Sequence, residues 1–296
     1  MKKICVTGGS GGAGNAVIEH LLAQGYDCVN IDIKAPKTRH CAFHEVDMTD
    51  YKSVYDAMAG CDGLVHFAGN PEPDFNHWDS AARFNNNTVA LFNAFNAAQA
   101  HGIKKVVWAS SETIFGFPFE TNRQKTLPVS ETSEAQPQGG YALSKAISET
   151  LAEHMSKLYG MTFIGLRLSN VLYDDEAAVP SFQKIPGYWE DLPHRKFNLW
   201  GYIDSRDTAR AVRLALESDV KGAEVFNIAA KDTLMRQPTQ ELVETVMPQS
   251  DLDPKITGHM ALLNCSKARE ALGFEPEYTW QDVLGLNQDG TPRGDS

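Results

Sequence analysis

Two stretches of the chain carry residue types at spacings that have chemical use. The first is Tyr141-Ala-Leu-Ser-Lys145, preceded in sequence by Ser110-Ser111. On a helix, positions four apart share a face, so the Tyr141 phenol and the Lys145 ammonium point to one place. A cation beside a phenol stabilises phenolate and draws its pKa down toward working pH, which makes Tyr141 a usable general base or acid. Taken alone, Tyr-x-x-x-Lys reads equally well as a solvated pair. The second stretch is Lys3 to Gly14, K-I-C-V-T-G-G-S-G-G-A-G. Ile4 to Val6 is a short apolar run that ends in glycines, and N-A-V-I-E-H-L-L-A-Q follows from Asn15: strand, tight turn, helix. Gly8 permits the turn, Gly11 lets backbone approach a pyrophosphate, and Gly14 allows close helix–strand packing. Amide donors and the positive end of the helix dipole then face an anion. A glycine triplet is weak evidence in a chain with 23 glycines, so context decides. Tyr26 to Ile33 reads as a second strand with Asp32 near its end, about where a carboxylate bonds both hydroxyls of an adenosine ribose.

Holding these groups together requires a sheet, and the pattern supplies one. Cys41 to Val46 reads as a third strand closed by Asp47-Met48, Tyr51 to Gly60 as a helix, and Asp62 to Phe67 as a fourth strand ending at Ala68-Gly69. Strands alternating with helices, with crossovers long enough for parallel pairs, predict a doubly wound α/β sheet of Rossmann type. A long helix spans His77 to His101, and Lys104 to Ser110 is the next strand. A Pro- and Ser-rich loop from Phe117 to Gly140 leads into the helix Tyr141 to Tyr159, and Thr162 to Leu168 is a buried strand. Tyr173 to Leu199, with Pro180, Pro186 and Pro193, has no sustained period and reads as a functional or lid loop. Helices over Arg206 to Glu217, Thr239 to Val246 and Ser266 to Leu272 and a strand over Ala223 to Ile228 complete the pattern, with a frayed polar tail after Asn287. The expected division is a cofactor-binding region, 1–170 with 203–228 returning to it, and a small α/β substrate-binding region, 171–202 and 229–296.

Composition narrows the function. A net charge of −11 over 296 residues argues against nucleic acid, whose binding rests on clustered Lys and Arg. No apolar run approaches the roughly 20 residues needed to cross a bilayer, and the N-terminus enters a strand without signal-peptide regions, so a cytoplasmic location is expected. Cysteines at 5, 28, 41, 61 and 265 show no paired zinc spacing, and Cys5 and Cys28 read as buried thiols. The nine histidines form no H-E-x-x-H, and no metal is expected.

Read in order, the motifs resemble an extended short-chain dehydrogenase/reductase of the NAD-dependent epimerase/dehydratase type. They are T-G-G-S-G-G-A-G at Thr7 to Gly14, Asp32, Asp47-Met48, H-F-A-G at His66 to Gly69, Asn87, S-S-E-T-I-F-G at Ser110 to Gly116, Tyr141 with Lys145, L-R-L-S-N at Leu166 to Asn170, and Y-I-D-S-R-D at Tyr202 to Asp207. N-C-S-K-A-R-E-A-L-G-F-E-P near the C-terminus fits too, so the resemblance spans almost the whole chain. It implies an NAD-dependent enzyme. Gly12 and Ala13 then lie under the pyrophosphate, Asp32 on the adenosine ribose, Asp47 with Met48 beside adenine, and Ala68, Gly69 and Asn87 along the nicotinamide half. Lys145 holds the nicotinamide ribose, Ser111 bonds the reacting substrate oxygen, and Tyr141 accepts the hydroxyl proton as hydride leaves carbon. Asp32 repels a 2′-phosphate and so favours NAD over NADP, while Lys34, Lys37 and Arg39 leave the second open. The resemblance also implies a homodimer through the helices at Ala82 to Ala100 and Tyr141 to Tyr159.

Departures from the family pattern guide the choice of reaction. Phe115 replaces a tyrosine, and Glu112 matches the first acid of a sugar-dehydratase pair whose second place is taken by Thr113. Asn170 to Tyr202 is short, and Asp251 to Leu263 lacks the arginine that nucleotide-sugar epimerases place before the S-K-A helix to clamp a diphosphate. Arg195, Lys196, Arg206 and Arg236 are the available substitutes, with Arg206 read as structural. The preferred expectation is therefore an NAD-dependent dehydrogenase of a free sugar, sugar acid or similar small polyol. The alternatives are nucleotide-sugar 4-epimerisation (or dehydration) with tightly held NAD, and a non-catalytic NAD-sensing or partner-binding protein. Tyr173, Phe182, Tyr188, Trp189 and Trp200 are candidates to line a sugar pocket by ring stacking, or else to serve local packing.

Overall fold

The computed structural model describes residues 2–72, 76–117, 124–173 and 181–294. In chain order the elements are β1 (Lys3–Thr7), α1 (Gly12–Ala23), β2 (Asp27–Asp32), β3 (Ala42–Glu45), α2 (Tyr51–Ala57), β4 (Gly63–His66), α3 (His77–Ala100), β5 (Lys105–Ser111), β6 (Thr126–Leu127) and α4 (Gly139–Tyr159). There follow β7 (Thr162–Leu168), β8 (Val171–Leu172), β9 (Ile203–Asp204), α5 (Ser205–Glu217), β10 (Ala223–Ile228), α6 (Thr239–Val246), β11 (Asp251–Leu252), α7 (Ser266–Leu272) and α8 (Trp280–Leu284).

Seven strands form one parallel sheet in the order β10-β7-β5-β4-β1-β2-β3. Its middle strands are apolar on both faces, as a sheet covered twice requires: every residue of β4 and β7 is buried. On one face α2, α3 and α4 contribute Val54, Phe95 and Ala152 to the cluster that holds Trp108 and Phe163. On the other, α1, α5 and α7 contribute Val17, Val212 and Leu272 to the cluster that holds Ile4, Val6 and Phe226. The strand order reverses between β1 and β4, and in such sheets the crevice at the carboxyl ends of those two strands is the natural ligand site. The doubly wound parallel sheet expected from the sequence is therefore the observed fold.

A third apolar cluster joins Phe115, Leu127, Phe182, Ile185, Trp189, Trp200, Tyr202, Leu242 and Trp280. Here the structure departs from the sequence reading. Within the expected loop 117–140, β6 pairs in parallel with β11, and the Val129 amide donates to the Leu262 carbonyl at 2.8 Å. Residues 118–123 of that loop, and Pro180 within 174–180 of the expected lid, lie outside the described residues. The rest of the lid segment is a packed wall carrying a 3-10 helix at Phe182–Tyr188. The tail is not frayed through Gly294. The Asn287 amide donates to the Thr291 carbonyl and the Arg293 amide to the Gly285 carbonyl, while the Asp289 carboxylate accepts from the Thr291 amide at 2.9 Å. Its Asp, Gly and Pro thus build an Asx-type turn. No described helix is long and apolar enough to cross a membrane.

Candidate active site

The crevice is a cavity of about 1320 Å³, above the roughly 300–1,000 Å³ usual for one drug-sized ligand. Gly8, Gly11, Gly12, Ala13, Gly14, Asp32, Asp47, Met48, Ala68, Gly69, Ser111, Tyr141 and Lys145 all line it. Asn87 does not. Its amide group lies behind the lining, accepting from the Asn70 amide at 2.8 Å and donating to the Asn70 carbonyl at 3.1 Å, so that it fixes the Gly69-Asn70 bend.

At one end the chain offers backbone. Gly8 has φ +72°, and a Cβ on Gly14 would overlap the Gly8 carbonyl oxygen, so both positions need glycine for the turn and the packing assigned to them. Gly11 caps α1 with no side-chain hydrogen bond, which leaves the first amides of the helix facing the cavity as donors for an anion. A Cβ on Gly11 would meet only the Gly8 carbonyl oxygen, at 3.4 Å. Asp32 is aimed by two amides, Ser10 N at 3.0 Å and Lys34 N at 3.1 Å. The Asp47-Met48 bend is held from outside by Asn93, whose side chain donates to the Met48 carbonyl at 2.9 Å. These uncapped amides and the oriented carboxylate fit a dinucleotide: the α1 amides would take its phosphates and Asp32 a ribose.

At the other end the chain offers side chains on three elements. Ser111 ends β5, Glu112 to Phe115 form a 3-10 turn, and Tyr141 and Lys145 stand in the first turns of α4. The Gly140 amide donates to Ser80 Oγ at 2.8 Å, and a Cβ on Gly140 would overlap the Ser80 carbonyl, so α4 starts hard against α3. Farther along, Glu149 accepts two bonds from Arg167, at 2.9 and 2.7 Å, and one from Ser110 at 2.6 Å, which locks α4 to β5 and β7. Ser111 Oγ accepts from both the amide and the hydroxyl of Thr113, at 3.2 and 3.0 Å. A hydroxyl has two acceptor positions; with both taken, Ser111 is left as a donor. It is hydrogen bonded to Tyr141 and thereby favours the phenolate.

The electrostatics correct one expectation. The Tyr141 pKa lies above, not below, its ordinary value: burial raises it, Ser111 opposes this, and the Glu112 charge adds to it. Lys145 Nζ sits 5.5 Å from the centre of the Tyr141 ring and donates to the Ala109 carbonyl at 2.7 Å. Burial pulls its own pKa down to about 8. The same desolvation that brings the two groups together penalises both charged forms. His66 is buried against Thr7 Oγ1 at 2.7 Å, and burial pushes it down to about 3, which keeps it neutral.

The sequence reading left Thr113, Asn93 and Gly140 without a role; their signal is long-range contact, absent from any local motif. Of the loop aromatics, only Tyr173 lines the cavity. Phe182, Trp189 and Trp200 are buried in the third cluster, and Tyr188 stacks on His194. Arg206 is structural: its guanidinium bonds Asp204 at 2.9 and 2.6 Å. All five cysteines are free thiols, with Cys5 and Cys28 buried.

The sequence pattern of the NAD dependent epimerase/dehydratase family matches residues 4–229. The UDP-glucose 4-epimerase of Lacticaseibacillus casei is 27% identical over 93% of this chain and 92% of its own. The uronate dehydrogenase of Agrobacterium fabrum is 30% identical, over 57% of this chain and 62% of its own. The solved structure of UDP-glucose 4-epimerase from Bifidobacterium longum, in complex with NAD+ and UDP, superposes with a TM-score of 0.73 at 20% identity, covering 98% of this chain and 96% of that one. At that identity the likeness is one of fold.

Proposed function

The chain belongs to the NAD dependent epimerase/dehydratase family, and on that premise we propose that it is an NAD-dependent dehydrogenase that interconverts a hydroxyl and a carbonyl on a free sugar, sugar acid or similar small polyol. When bound, NAD supplies the hydride acceptor. The chain's own groups do the rest. Tyr141 Oη exchanges a proton with the reacting oxygen, giving it to a carbonyl as the phenol that burial favours and taking it from a hydroxyl as the phenolate that Ser111 favours. Ser111 donates to the same oxygen, and Lys145 adds positive charge near the phenol. Residues 1–170 with 203–228 hold the cofactor in this reading, and 171–202 with 229–296 form the small substrate-binding region.

The observation that carries the choice of a free sugar is the set of cations. A diphosphate calls for charge-assisted bonds, yet none of the four substitutes, Arg195, Lys196, Arg206 and Arg236, lines the cavity. Its described cations are Lys34 beside Asp32, Lys145 on the Ala109 carbonyl and Arg83 of α3, which pairs with Glu72 at 3.8 Å. Arg206 pairs with Asp204 and Arg236 with Glu190, while Arg195 faces the Tyr188 ring and Lys196 the Phe197 ring. A second reading, nucleotide-sugar 4-epimerisation, has its own support in the near full-length match to a UDP-glucose 4-epimerase. The two separate cleanly. Purified protein with NAD and a panel of aldoses, uronates and aldonates should produce NADH from exchangeable cofactor. Silence on that panel, together with interconversion of UDP-glucose and UDP-galactose and NAD retained through dialysis, would transfer the assignment to the epimerase.

The same reading includes a homodimer and a cytoplasmic location. Val89 and Phe92 on α3 and Leu143 and Ile147 on α4 are exposed apolar side chains on two helices that pack together. A second copy covering them would sediment as a dimer at micromolar concentration.

A further inference from the structure

Glu112 lies between the hydrogen-bonded pair Ser111 and Thr113, and the chemistry above leaves it unused. Its carboxyl is buried, it lines the reaction end of the cavity, and Ser169 Oγ donates to its Oε2 at 2.6 Å. The Asn198 side chain, which donates to the Gly201 carbonyl at 3.1 Å, and the Asn170 backbone lie near enough to favour its charged form. Asn198 arrives on a turn in which Leu199 and Trp200 have φ of 56° and 53°. Gly201 ends that turn so close that a Cβ would stand 2.9 Å from Ser169 Oγ and 3.9 Å from Glu112 Oε2. An ionised carboxyl offers about four acceptor positions. Ser169 occupies one, on Oε2, and Asn198 and Asn170 crowd the side of β7 and the 198–201 turn, which leaves acceptor capacity toward the cavity that Glu112 lines.

We infer that Glu112 is a specificity-determining residue, whose remaining acceptor position takes a hydrogen bond from an uncharged substrate hydroxyl near the reacting carbon and selects neutral aldoses or polyols over the corresponding sugar acids. The inference rests on the dehydrogenase reading and narrows its substrate class. Around Glu112 the described lining residues Ser111, Thr113, Ser169, Asn170 and Tyr173 are neutral hydrogen-bonding groups, suited to hydroxyls. Of the described cations lining the cavity, Lys145 is engaged by the Ala109 carbonyl, Arg83 on α3 is paired with Glu72, and Lys34 stands beside Asp32 at the far end. A substrate carboxylate placed there would meet the Glu112 charge in a site sparingly screened by water, and like charges in contact are strongly unfavourable.

The charged and titratable groups facing Glu112 are Arg195, from the segment before the 198–201 turn, and Tyr141 of α4. Arg195 favours the ionised form, and its Nε is buried without a hydrogen-bond partner. Burial nevertheless holds the Glu112 carboxyl up at about 7. Discrimination against acids should accordingly strengthen as pH rises through neutrality.

The test measures kcat/KM for an aldose and the uronate of the same stereochemistry, below and above neutral pH, in wild type, Glu112→Gln and Glu112→Asp. Wild type should prefer the aldose, with an aldose-to-uronate ratio that rises with pH. Glu112→Gln should lower that ratio about tenfold or more, from one charged hydrogen bond and one repulsion removed, flatten its pH dependence and leave the Kd for NAD unchanged. A wild type that prefers the uronate, or a ratio independent of pH, overturns the inference without recourse to any variant. So does a Glu112→Gln enzyme in which both substrates fall together, since that is what a mere latch between Ser111 and the 198–201 turn would give. If wild type oxidises no free sugar but interconverts UDP-sugars, the dehydrogenase reading itself has failed and takes this inference with it, an outcome recognisable because it precedes any comparison of variants.

Discussion

The two ends of the cavity are built by different physics. At the α1 end, the groups that meet a ligand are, besides the Asp32 carboxylate, amides in a bend where Gly8 and Gly14 have no room for a side chain, left uncapped at a helix N-terminus. Their donors carry no pKa and change little with pH. At the β5–α4 end, the groups are ionisable or hydroxyl side chains brought from separate elements into a site poor in water, where burial moves Glu112 up to about 7 and Lys145 down to about 8. Binding can thus remain constant while chemistry and selectivity respond to pH. The contrast implies that lesions at one end should leave the other largely intact.

Substitutions sort by that contrast. Tyr141→Phe removes the proton acceptor and should cut kcat by about 10²- to 10⁴-fold with the Kd for NAD unchanged, measured by steady-state kinetics and fluorescence titration. A variant with normal turnover would dissolve the distinction between the ends and remove Tyr141 from the chemistry. Gly14→Ala places a methyl against the Gly8 carbonyl. It should cost about 1–3 kcal/mol of stability and weaken NAD binding about tenfold or more, while saturating NAD restores most of kcat. Thr113→Val frees both the side-chain acceptor position and the orientation of Ser111, so kcat should drop about tenfold at constant NAD affinity; an equal loss in Thr113→Ser would deny the hydroxyl its role.

The smallest effect concerns stability. The Glu112 carboxyl is raised from 4.5 to about 7 in the folded protein, so between these values the native state holds more protons than the unfolded one. Its contribution to stability is fully present below 4.5 and declines as pH climbs to about 7. Glu112→Gln should therefore gain on wild type by a few degrees in thermal melts across that window. A constant offset would show that the carboxyl does not titrate there.

Much of this was legible beforehand. Strand and helix positions follow from apolar period and from glycine, and β7, β10, α6 and α7 coincide with their expected spans. The five-residue α8 and the turn after Asn287 were missed, because Trp280 is a helix residue only by virtue of the cluster that buries it. Asn87 reads as a cofactor contact in sequence, and the structure adds that it braces Gly69-Asn70. The expected fall in the Tyr141 pKa failed for the same kind of reason: spacing reports that a lysine is near, not how much water both groups lose.

By itself the sequence determined the family, the parallel sheet and the phosphate-facing glycine bend, since each depends on local conformational preference and period along the chain. Only the tertiary structure decided that Ser111 is held as a donor by Thr113, that burial reverses the expected Tyr141 shift, and that the buried Glu112 carboxyl lines the cavity. Each of those is a property of who else shares the site. Solvation and hydrogen-bond occupancy belong to neighbours distant in sequence, and a local pattern does not carry them.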